Sequence, residues 1–347
     1  MSTNKPLISP KGQALTWTEL DSDIATLSLG SNNMFNKSNS TKVAFTTTTG
    51  QNVSTQITLV IDVGGITVVL PNNTAVNLPS LTAGTDYVIW AQQGGTLTAA
   101  TNFTSAPSAG ARKIGGFHYA PGGNAAARAG GDTTPQINPY SFWDLKWKPQ
   151  CPDPRGMTLV ANNFWVDIYL LNTNPDVNGT SKYGVQICDG SSPAIIPVAF
   201  GGNGSNSYSS LNWWEANEIL AAYGKRSASY QEFSALAFGT TEASAIGTDQ
   251  ITTRLNAAYT SKWGVMQSTG VMDIWSKDFG GGVGIVSGVA NTGGRGGTYQ
   301  LCDVSVFAGD WWTDPFAGSR FSAWGYAPTT SNNSFSARGI ADHLIIE

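Results

Sequence analysis

Charged side chains are scarce in this sequence: they make up 12% of its 347 residues, about half the usual share in globular proteins. The net charge is −4 and no run of lysine and arginine occurs, which argues against a protein that binds nucleic acid. No window approaches the roughly 18 apolar residues of a membrane-spanning helix, so we expect no membrane insertion. Residues 1–13 lack the apolar core of a signal peptide, and we therefore expect synthesis in a cytoplasm.

Side chains that bind metals or serve as nucleophiles are also few, with two histidines and three cysteines. Cys151, Cys188 and Cys302 are too widely spaced for a zinc site or a disulfide framework. His118 and His343 lie in no metal-binding or catalytic motif, so we expect them to make structural hydrogen bonds. Neither a GxSxG motif nor a P-loop occurs. The sequence predicts no cofactor and no metal site.

Glycine is abundant, at 40 residues, and aromatic residues reach 11%. This composition gives many turns and an ample core, which is typical of a mostly β protein. The length exceeds that of one ordinary domain. Because two helical patterns occur without βαβ alternation, we predict an α+β fold that is mostly β.

Residues 1–41 are predicted to form an extended arm followed by a short helix. Thr16 and Glu19 match a capping box at the start of this helix. An apolar stripe follows at helical spacing, formed by Trp17, Leu20, Ile24 and Leu27. A single helix of about a dozen residues is marginal alone. The stripe therefore favours a bundle between identical chains, and packing onto the next domain of the same chain is the alternative.

Residues 42–120 are predicted to form a small β-sandwich. Strand-like runs occur at 42–47, 56–62, 66–70, 86–91 and 113–119, separated by turns rich in glycine and asparagine. Residues 121–139 are rich in glycine and alanine and are predicted to be a linker.

Residues 140–347 combine strand-like runs with two helical patterns. The runs lie at 157–160, 164–171 and 183–187, and the helices at 211–223 and 230–238. Ser229 and Glu232 match a capping box at the start of the second helix, and Gly239 is placed to end it.

The segment from Gly309 to Phe335 is the most distinctive part of the chain. Its seven aromatic residues alternate with aspartate, serine, threonine, asparagine and glycine. Antibody binding sites use the same combination of rigid rings and short polar side chains. The alternative is a tryptophan-rich β core, in which we place about half of these rings. Residues 328–334 are small and polar and should form an exposed loop.

Several longer motifs resemble the major tropism determinant family of phage tail-fibre proteins. They are KIGGFHYAP (113–121), DPRGMTLV (153–160), FSALAFGTTE (233–242), SKWGV (261–265), NTGGRG (291–296), and ARG with DHL (337–339 and 342–344). The resemblance covers roughly residues 42–347 and implies a homotrimer at a tail-fibre tip of the virion. It further implies that 140–347 form a C-type-lectin-like domain that binds a host-cell receptor and has no catalytic activity. Segments 224–233 and 263–275 are more distantly similar to the formylglycine-generating-enzyme branch of that fold.

The resemblance also implies which side chains contact the receptor. These are Asp310, Trp312, Thr313, Asp314, Phe316, Ala323, Gly325, Tyr326, Thr330, Asn332, Ser334 and Phe335. Trp311, Arg320, Trp324 and Arg338 are expected to be the framework between them. In a region so poor in charge, both arginines need carboxylate or carbonyl partners, and Asp342 is a candidate.

The leading prediction is therefore a homotrimeric receptor-binding protein without enzymatic activity. Its receptor is a protein, pilus or glycan of the host surface. Residues 1–41 do not resemble the family and are predicted to attach to other phage tail or baseplate proteins. Two alternatives are an enzyme of the formylglycine-generating type, which needs a cysteine close to Cys302, and a capsule depolymerase with a carboxylate pair such as Asp273 and Asp278.

Overall fold

The computed structural model describes residues 34–280 and 302–346. The predicted N-terminal helix lies outside the described residues. The described strands are β1 (Phe35–Lys37), β2 (Phe45–Thr46), β3 (Ser54–Thr55), β4 (Leu59–Val63), β5 (Ile66–Leu70), β6 (Val76–Asn77), β7 (Thr85–Ala91), β8 (Leu97–Ala100), β9 (Arg112–Ala120), β10 (Gln136–Ile137), β11 (Trp143–Asp144), β12 (Trp147–Pro149), β13 (Met157–Val160), β14 (Phe164–Asp167), β15 (Asp273–Phe279), β16 (Val304–Phe307), β17 (Ser322–Tyr326), β18 (Phe335–Ser336) and β19 (Ile340–Ile345). The described helices are α1 (Pro175–Asn178), α2 (Trp213–Ala222) and α3 (Tyr230–Leu236), with 3-10 turns at Val198–Phe200 and Ala257–Tyr259.

The strands predicted in the N-terminal half mostly form, with shifted ends. The run at 66–70 is β5, and those at 56–62, 86–91 and 113–119 overlap β4, β7 and β9. The run at 42–47 shortens to β2. Further along, 157–160 is β13, whereas 183–187 makes only isolated bridges, to Asn172 and Thr252. That prediction of a strand was wrong: residues 171–173 and 251–253 lie on either side of the segment, but the pairing with each is limited to a single bridge.

Two sheets enclose the N-terminal core. The first sheet has the order β1-β4-β5, and its β4–β5 hairpin turns at Gly64 and Gly65. Leu59, Ile61 and Val63 alternate inward and are fully buried, as the period of a half-buried strand requires. They pack against the apolar side chains of β7, β8 and β9, which belong to the second sheet.

The second sheet is long and joins the two halves of the chain. Its order is β13-β14-β19-β12-β11-β9-β7-β8-β6, with β10 also paired to β9. Two glycines in β9 allow this close packing: a Cβ on Gly116 would lie 2.5 Å from the carbonyl oxygen of Tyr87, and one on Gly115 would lie 2.5 Å from that of Trp143. The C-terminal strand β19 lies between β12 and β14, so the end of the chain is fixed in the middle of the sheet.

Residues 121–139, predicted to be a linker, are packed against the rest of the protein. Ala125 and Ile137 are buried. A Cβ on Gly122 would lie 2.3 Å from the carbonyl oxygen of Asp132, and one on Gly131 would lie 2.0 Å from that of Gly123. The glycines here permit two backbone segments to approach closely. The glycine content alone had suggested a flexible segment. The domain boundaries themselves remain a prediction.

The two long C-terminal helices form within the predicted ranges, although α2 begins at Trp213 rather than at 211 and α3 ends at Leu236 rather than at 238. Asn212 caps α2 and Ser229 caps α3, and each forms a capping box with the glutamate three residues later. Helix α2 buries Ile219 and Leu220 against the C-terminal core, while Trp214 and Tyr223 are only half-buried. None of the helices in the described ranges has the length and apolar character to span a bilayer.

Candidate functional site

The predicted contact residues lie on β17 and on the connections before and after it. Loop 308–321 joins β16 to β17, and loop 327–334 joins β17 to β18. These strands form a four-stranded sheet of order β17-β16-β15-β18, in which β17 is at the edge. Strand β17 pairs antiparallel with β16, with Ala323 opposite Val306 and Tyr326 opposite Val304.

Loop 308–321 is folded around the carboxylate of Asp310. This side chain is buried and accepts hydrogen bonds from the backbone nitrogen of Trp312, at 3.3 Å, and from the hydroxyl of Thr313. Gly309 has a φ of 72°, and a Cβ there would lie 2.8 Å from the side chain of Ala317. Glycine is therefore required at this turn for both its backbone angle and its lack of a side chain.

Two aromatic side chains of this loop are exposed to solvent. Trp312 is 69% exposed and Phe316 is 74% exposed; we call them the exposed ring pair. Trp311 is half-buried beside them, with its ring centroid 6.2 Å from that of Trp312. Isolated apolar side chains on a surface are common, but two large rings exposed to this degree on one loop are typical of an interaction site.

The aromatic side chains of β17 are held more firmly. Trp324 is half-buried, contacts the ring of Tyr230 at 6.4 Å and donates to Ser322 Oγ at 2.9 Å. Tyr326 packs edge-on against Phe335 at 4.9 Å. Phe335 in turn contacts Trp275 at 5.0 Å in the core.

Nine of the twelve predicted contact residues reach the surface at least in part. They are Trp312, Thr313, Asp314, Phe316, Ala323, Gly325, Tyr326, Thr330 and Asn332. Asp310, Ser334 and Phe335 are instead buried. Phe335 pairs with Asp273 of β15, which draws the end of loop 327–334 into the core. In this structure these three residues support the surface rather than form it.

The four predicted framework residues divide in the same way. Trp311 and Trp324 are half-buried and Arg338 is buried, but the side chain of Arg320 is exposed. The backbone carbonyl of Arg320 accepts a hydrogen bond from the Tyr230 hydroxyl at 3.0 Å. The expectation that Arg320 needs a carboxylate or carbonyl partner was therefore wrong, because its side chain is exposed to solvent, whereas Arg338 has the carbonyl partners that were expected.

Arg338 is fixed entirely by backbone carbonyl groups. Nη1 donates to Asp167 and Ile168 at 2.7 and 2.8 Å, and Nη2 donates to Met266 and Gln267 at 2.7 and 3.1 Å. Burial lowers the pKa of this guanidinium to about 9.

Asp342, the predicted partner of one of these two arginines, accepts a hydrogen bond from Arg226 at 2.8 Å instead. That pairing prediction was wrong. Arg226 also donates to Glu232, the capping residue of α3, so these charges fix the start of that helix.

A second buried carboxyl group lies on β15, which is separated from β17 by β16 in the same sheet. Asp273 is 3% exposed, and its Oδ1 has no hydrogen-bond partner among the described residues. Burial, followed by the nearby charge of Asp310, raises its pKa well above the ordinary carboxyl value. Burial and these same two carboxylates raise the pKa of Tyr326. The support beneath the surface is thus electrostatically coupled to a residue of the surface.

Residues far from this segment in sequence hold it in place and were missed by sequence reasoning. Glu242 accepts from the backbone nitrogen of Ser319 at 2.9 Å and from its hydroxyl at 2.5 Å. Gly247 N–H donates to the Trp311 carbonyl at 2.7 Å. Asn333 donates to Asp249 at 2.8 Å. Residues 242–249 thus line one side of the site. Contacts between residues so far apart in sequence are not indicated by any local motif.

The histidines have the structural contacts that were expected. His118 lies 2.9 Å from both Asp86 and the hydroxyl of Tyr169, and the indole of Trp165 donates to His343 Nδ1 at 2.9 Å. Within 34–280 and 302–346, no group of three or more potential ligands is arranged to hold a metal ion.

Among the described residues, Asp273 and Asp278 do not form an exposed carboxylate pair. Asp273 is buried, and Asp278 accepts from the backbone nitrogen of Tyr230 at 2.7 Å, which satisfies a donor in the first turn of α3. The cysteines are free: Cys188 is buried in the core, Cys151 is half-buried and Cys302 is exposed. Burial raises the pKa of Cys151 to about 11, which disfavours its thiolate.

Comparison with known proteins gives consistent matches over most of the chain. The family described as Mtd second domain matches residues 43–144. The tail fiber receptor-binding protein of Bordetella phage BPP-1 is 48% identical over 326 residues, which are 90% of this chain and 85% of that protein. The solved Major Tropism Determinant I1 variant is 45% identical with a TM-score of 0.89, over 92% of this chain and 88% of its own. The P3c variant is 44% identical with a TM-score of 0.89, over 97% and 90%.

These matches confirm the fold class predicted from the sequence, since the structural relatives have a C-type-lectin-like fold and the present chain is mostly β. The assignment to the formylglycine-generating branch stays a prediction. The names of the relatives refer to receptor binding and tropism, and none refers to catalysis.

Proposed function

Because the chain belongs to the family of the major tropism determinants and phage tail-fibre receptor-binding proteins, we propose that it binds a receptor on the surface of a host cell. The protein then acts at the tip of a tail fibre in the virion, and its mechanism is binding without catalysis. The receptor is a surface protein, a pilus or a glycan.

The exposed ring pair is the observation that carries this proposal. Aromatic side chains bury roughly 150–250 Å² each, so covering Trp312 and Phe316 to the extent that they are exposed removes about 200–350 Å² from water. At about 25 cal/mol per Å², the gross gain is roughly 5–9 kcal/mol. Association itself costs an amount of that order, so two rings alone do not make a stable complex.

The remaining contact area comes from the polar and half-buried side chains around the rings. A specific interface buries about 800 Å² on each partner. Thr313, Asp314, Tyr326, Thr330 and Asn332 reach the surface on the same loops and strand. We propose that these side chains form the polar rim of one aromatic face, with the ring pair as its energetic centre.

A homotrimer that presents three such faces would compensate for weak single contacts. When one face is bound, the next binds at a high effective concentration, and overall avidity can exceed the single affinity by about 10² to 10⁴. The predicted helical bundle in residues 1–41 would join the chains and attach them to other phage tail or baseplate proteins. Residues 140–347 would be the receptor-binding domain.

The test is competition for adsorption to bacteria. Purified wild-type protein should block adsorption of a phage that carries it, whereas Trp312→Ala combined with Phe316→Ala should lower this competition at least a hundredfold. Both side chains are exposed, so the melting temperature should stay within about 2 °C of wild type.

Phe238→Ala is the matched control because Phe238 is also an exposed ring, at 46%, and lies outside the site. It should compete like wild type. Undiminished competition by the double variant would place the receptor contact elsewhere on the chain.

A further inference from the structure

A small cavity opens at the C-terminal end of helix α2, remote from the exposed ring pair. Its volume is about 190 Å³, and it lies between α1, the end of α2 and the segment that connects β12 to β13. The other end of α2 faces the candidate receptor site: Trp213 N–H donates to the carbonyl of Pro328 at 3.1 Å. A ten-residue helix is about 15 Å long. The cavity and the loops of the receptor site are therefore separate places on the molecule.

Each of the two cations that line the cavity is paired with a carboxylate. Arg155 Nε donates to both oxygens of Asp153, at 3.0 and 2.8 Å, and its guanidinium group stacks over Phe103 at 5.1 Å. Lys225 is only 4% exposed, and its Nζ donates to Asp167 and Thr180 at 2.5 and 2.7 Å. These partners orient the lining before any ligand arrives, which reduces the entropic cost of binding.

The lining offers both donors and acceptors, and its two cations are already paired. Arg155 pairs with Asp153, and Lys225 pairs with Asp167 behind the lining. The Tyr223 hydroxyl donates to Asp176 Oδ1. Within the described residues, Asp176 Oδ2 and Arg155 Nη1 make no hydrogen bond, and the same is true of the side-chain oxygen of Asn178.

This set of groups selects one class of ligand. An anion would meet Asp153 and Asp176, and a cation would meet Arg155 and Lys225. A hydroxyl group both donates and accepts, so it suits a lining that presents a free carboxylate oxygen and a free guanidinium N–H. The ring of Tyr223 and the exposed side chain of Val177, at 78%, add apolar surface for the C–H groups of a sugar ring.

We propose that this cavity binds one neutral sugar residue. Its volume is about 190 Å³. It lies below the roughly 300 Å³ at which pockets for drug-sized ligands begin, so one monosaccharide unit fits and a longer chain must extend into solvent. The proposal does not depend on the receptor site, because a different set of residues carries it.

Saturation-transfer NMR on the full-length protein tests this site. Glucose, galactose, mannose and N-acetylglucosamine, each also as its methyl glycoside, are offered at millimolar concentration. At least one should give a signal. A methyl glycoside that binds as well as the free sugar identifies the ligand as the end of a glycan, whereas binding of the free sugar alone identifies a soluble metabolite.

Two variants locate the binding. Asp176→Ala removes an acceptor and should weaken the sugar about tenfold, and Val177→Trp should obstruct the rim and abolish the signal. Both residues are exposed, so folding should be unaffected. Trp312→Ala should bind the sugar like wild type even where host adsorption is lost. The proposal is overturned if no sugar gives a signal, or if both cavity variants bind as wild type does.

Discussion

The carboxyl group of Asp273 shows how a single buried residue can make the stability of the fold depend on pH. It is buried next to the charge of Asp310 and lacks a partner for Oδ1 among the described residues. An ionised carboxylate in such a place is costly, so the neutral acid is favoured.

This raised pKa predicts a pH-dependent loss of stability. From the ordinary carboxyl value of 3.8 upward to the raised folded value, the folded protein binds a proton that the unfolded chain has released. The free energy of unfolding therefore falls by about 1.4 kcal/mol for each pH unit of that interval. Asp273→Asn removes the titration, so its melting temperature should exceed that of wild type at pH 7, and the difference should shrink towards pH 4.

Asp314→Asn is the control, since Asp314 is exposed in the same region, and its effect should be small at both pH values. A variant of Asp273 that is less stable than wild type at pH 7 would show that the carboxylate is ionised and stabilised there.

Single residues were predicted well where the deciding contacts are local. The capping box of α3 at Ser229 and Glu232 depends on neighbours in sequence, and it forms. Phe335 was assigned to the surface by its place in a motif, but its pairing with the distant strand β15 buries it. Such long-range pairing cannot be predicted from the local sequence.

At the scale of elements, the candidate receptor site depends on contacts between two loops. Loop 308–321 carries the exposed ring pair, and residues 242–249 hold it through Glu242 and Gly247. A Cβ on Gly318 would lie 2.3 Å from Glu242 Oε2, so the two segments approach closely. This contact restricts the loop before a receptor binds.

Glu242→Ala should therefore weaken adsorption although Glu242 lies outside the segment that contacts the receptor. The change leaves the backbone N–H and hydroxyl of Ser319 without their acceptor, at a cost of about 1–3 kcal/mol. Hydrogen exchange of the Ser319 and Trp312 amides should become faster, and competition for adsorption should fall about tenfold because the loop must be ordered on binding.

Asn102→Ala is the matched control for this variant. It removes a similar set of local hydrogen bonds, to Thr104 and Ser105, in the N-terminal half. It should leave both the exchange of loop 308–321 and adsorption unchanged. Equal adsorption by the Glu242 and Asn102 variants would show that the loop needs no such support.

Elements were predictable in proportion to the regularity of their pattern. Strand β5 and helices α2 and α3 have clear periods or caps and form close to their expected positions. The segment 121–139 has no period, so composition alone suggested a linker, whereas close backbone contacts at Gly122 and Gly131 use the same glycines to pack it. Glycine content by itself does not distinguish a flexible segment from a tightly packed one.

At the scale of the whole molecule, one long sheet connects the N-terminal and C-terminal halves. Strands β9 and β7 of the N-terminal half and strands β19 and β14 of the C-terminal half belong to one hydrogen-bonded sheet. The receptor site lies on the separate four-stranded sheet, but its strand β18 leads into β19 through residues 337–339, where Arg338 donates to the carbonyl of Asp167 of β14; these contacts restrict its orientation relative to the long sheet. Such rigidity favours simultaneous binding of several faces, because avidity is lost when the geometry of the faces cannot match the target.

The predicted trimer can be tested by breaking the bundle that is proposed to hold it. Leu20→Asp combined with Ile24→Asp places two charges on the apolar stripe of the predicted helix, whereas Ser22→Asp places one on the opposite side as a control. Light scattering should give three times the chain mass of 36.5 kDa for wild type and Ser22→Asp, and one chain mass for the double variant. Competition for adsorption by the double variant should fall by about 10² or more, since avidity disappears while each face stays intact.

A monomeric wild type at micromolar concentration would refute the trimer. A double variant that stays trimeric would place the contact between chains outside residues 1–41, and a monomeric variant that still competes like wild type would show that a single face binds strongly enough alone.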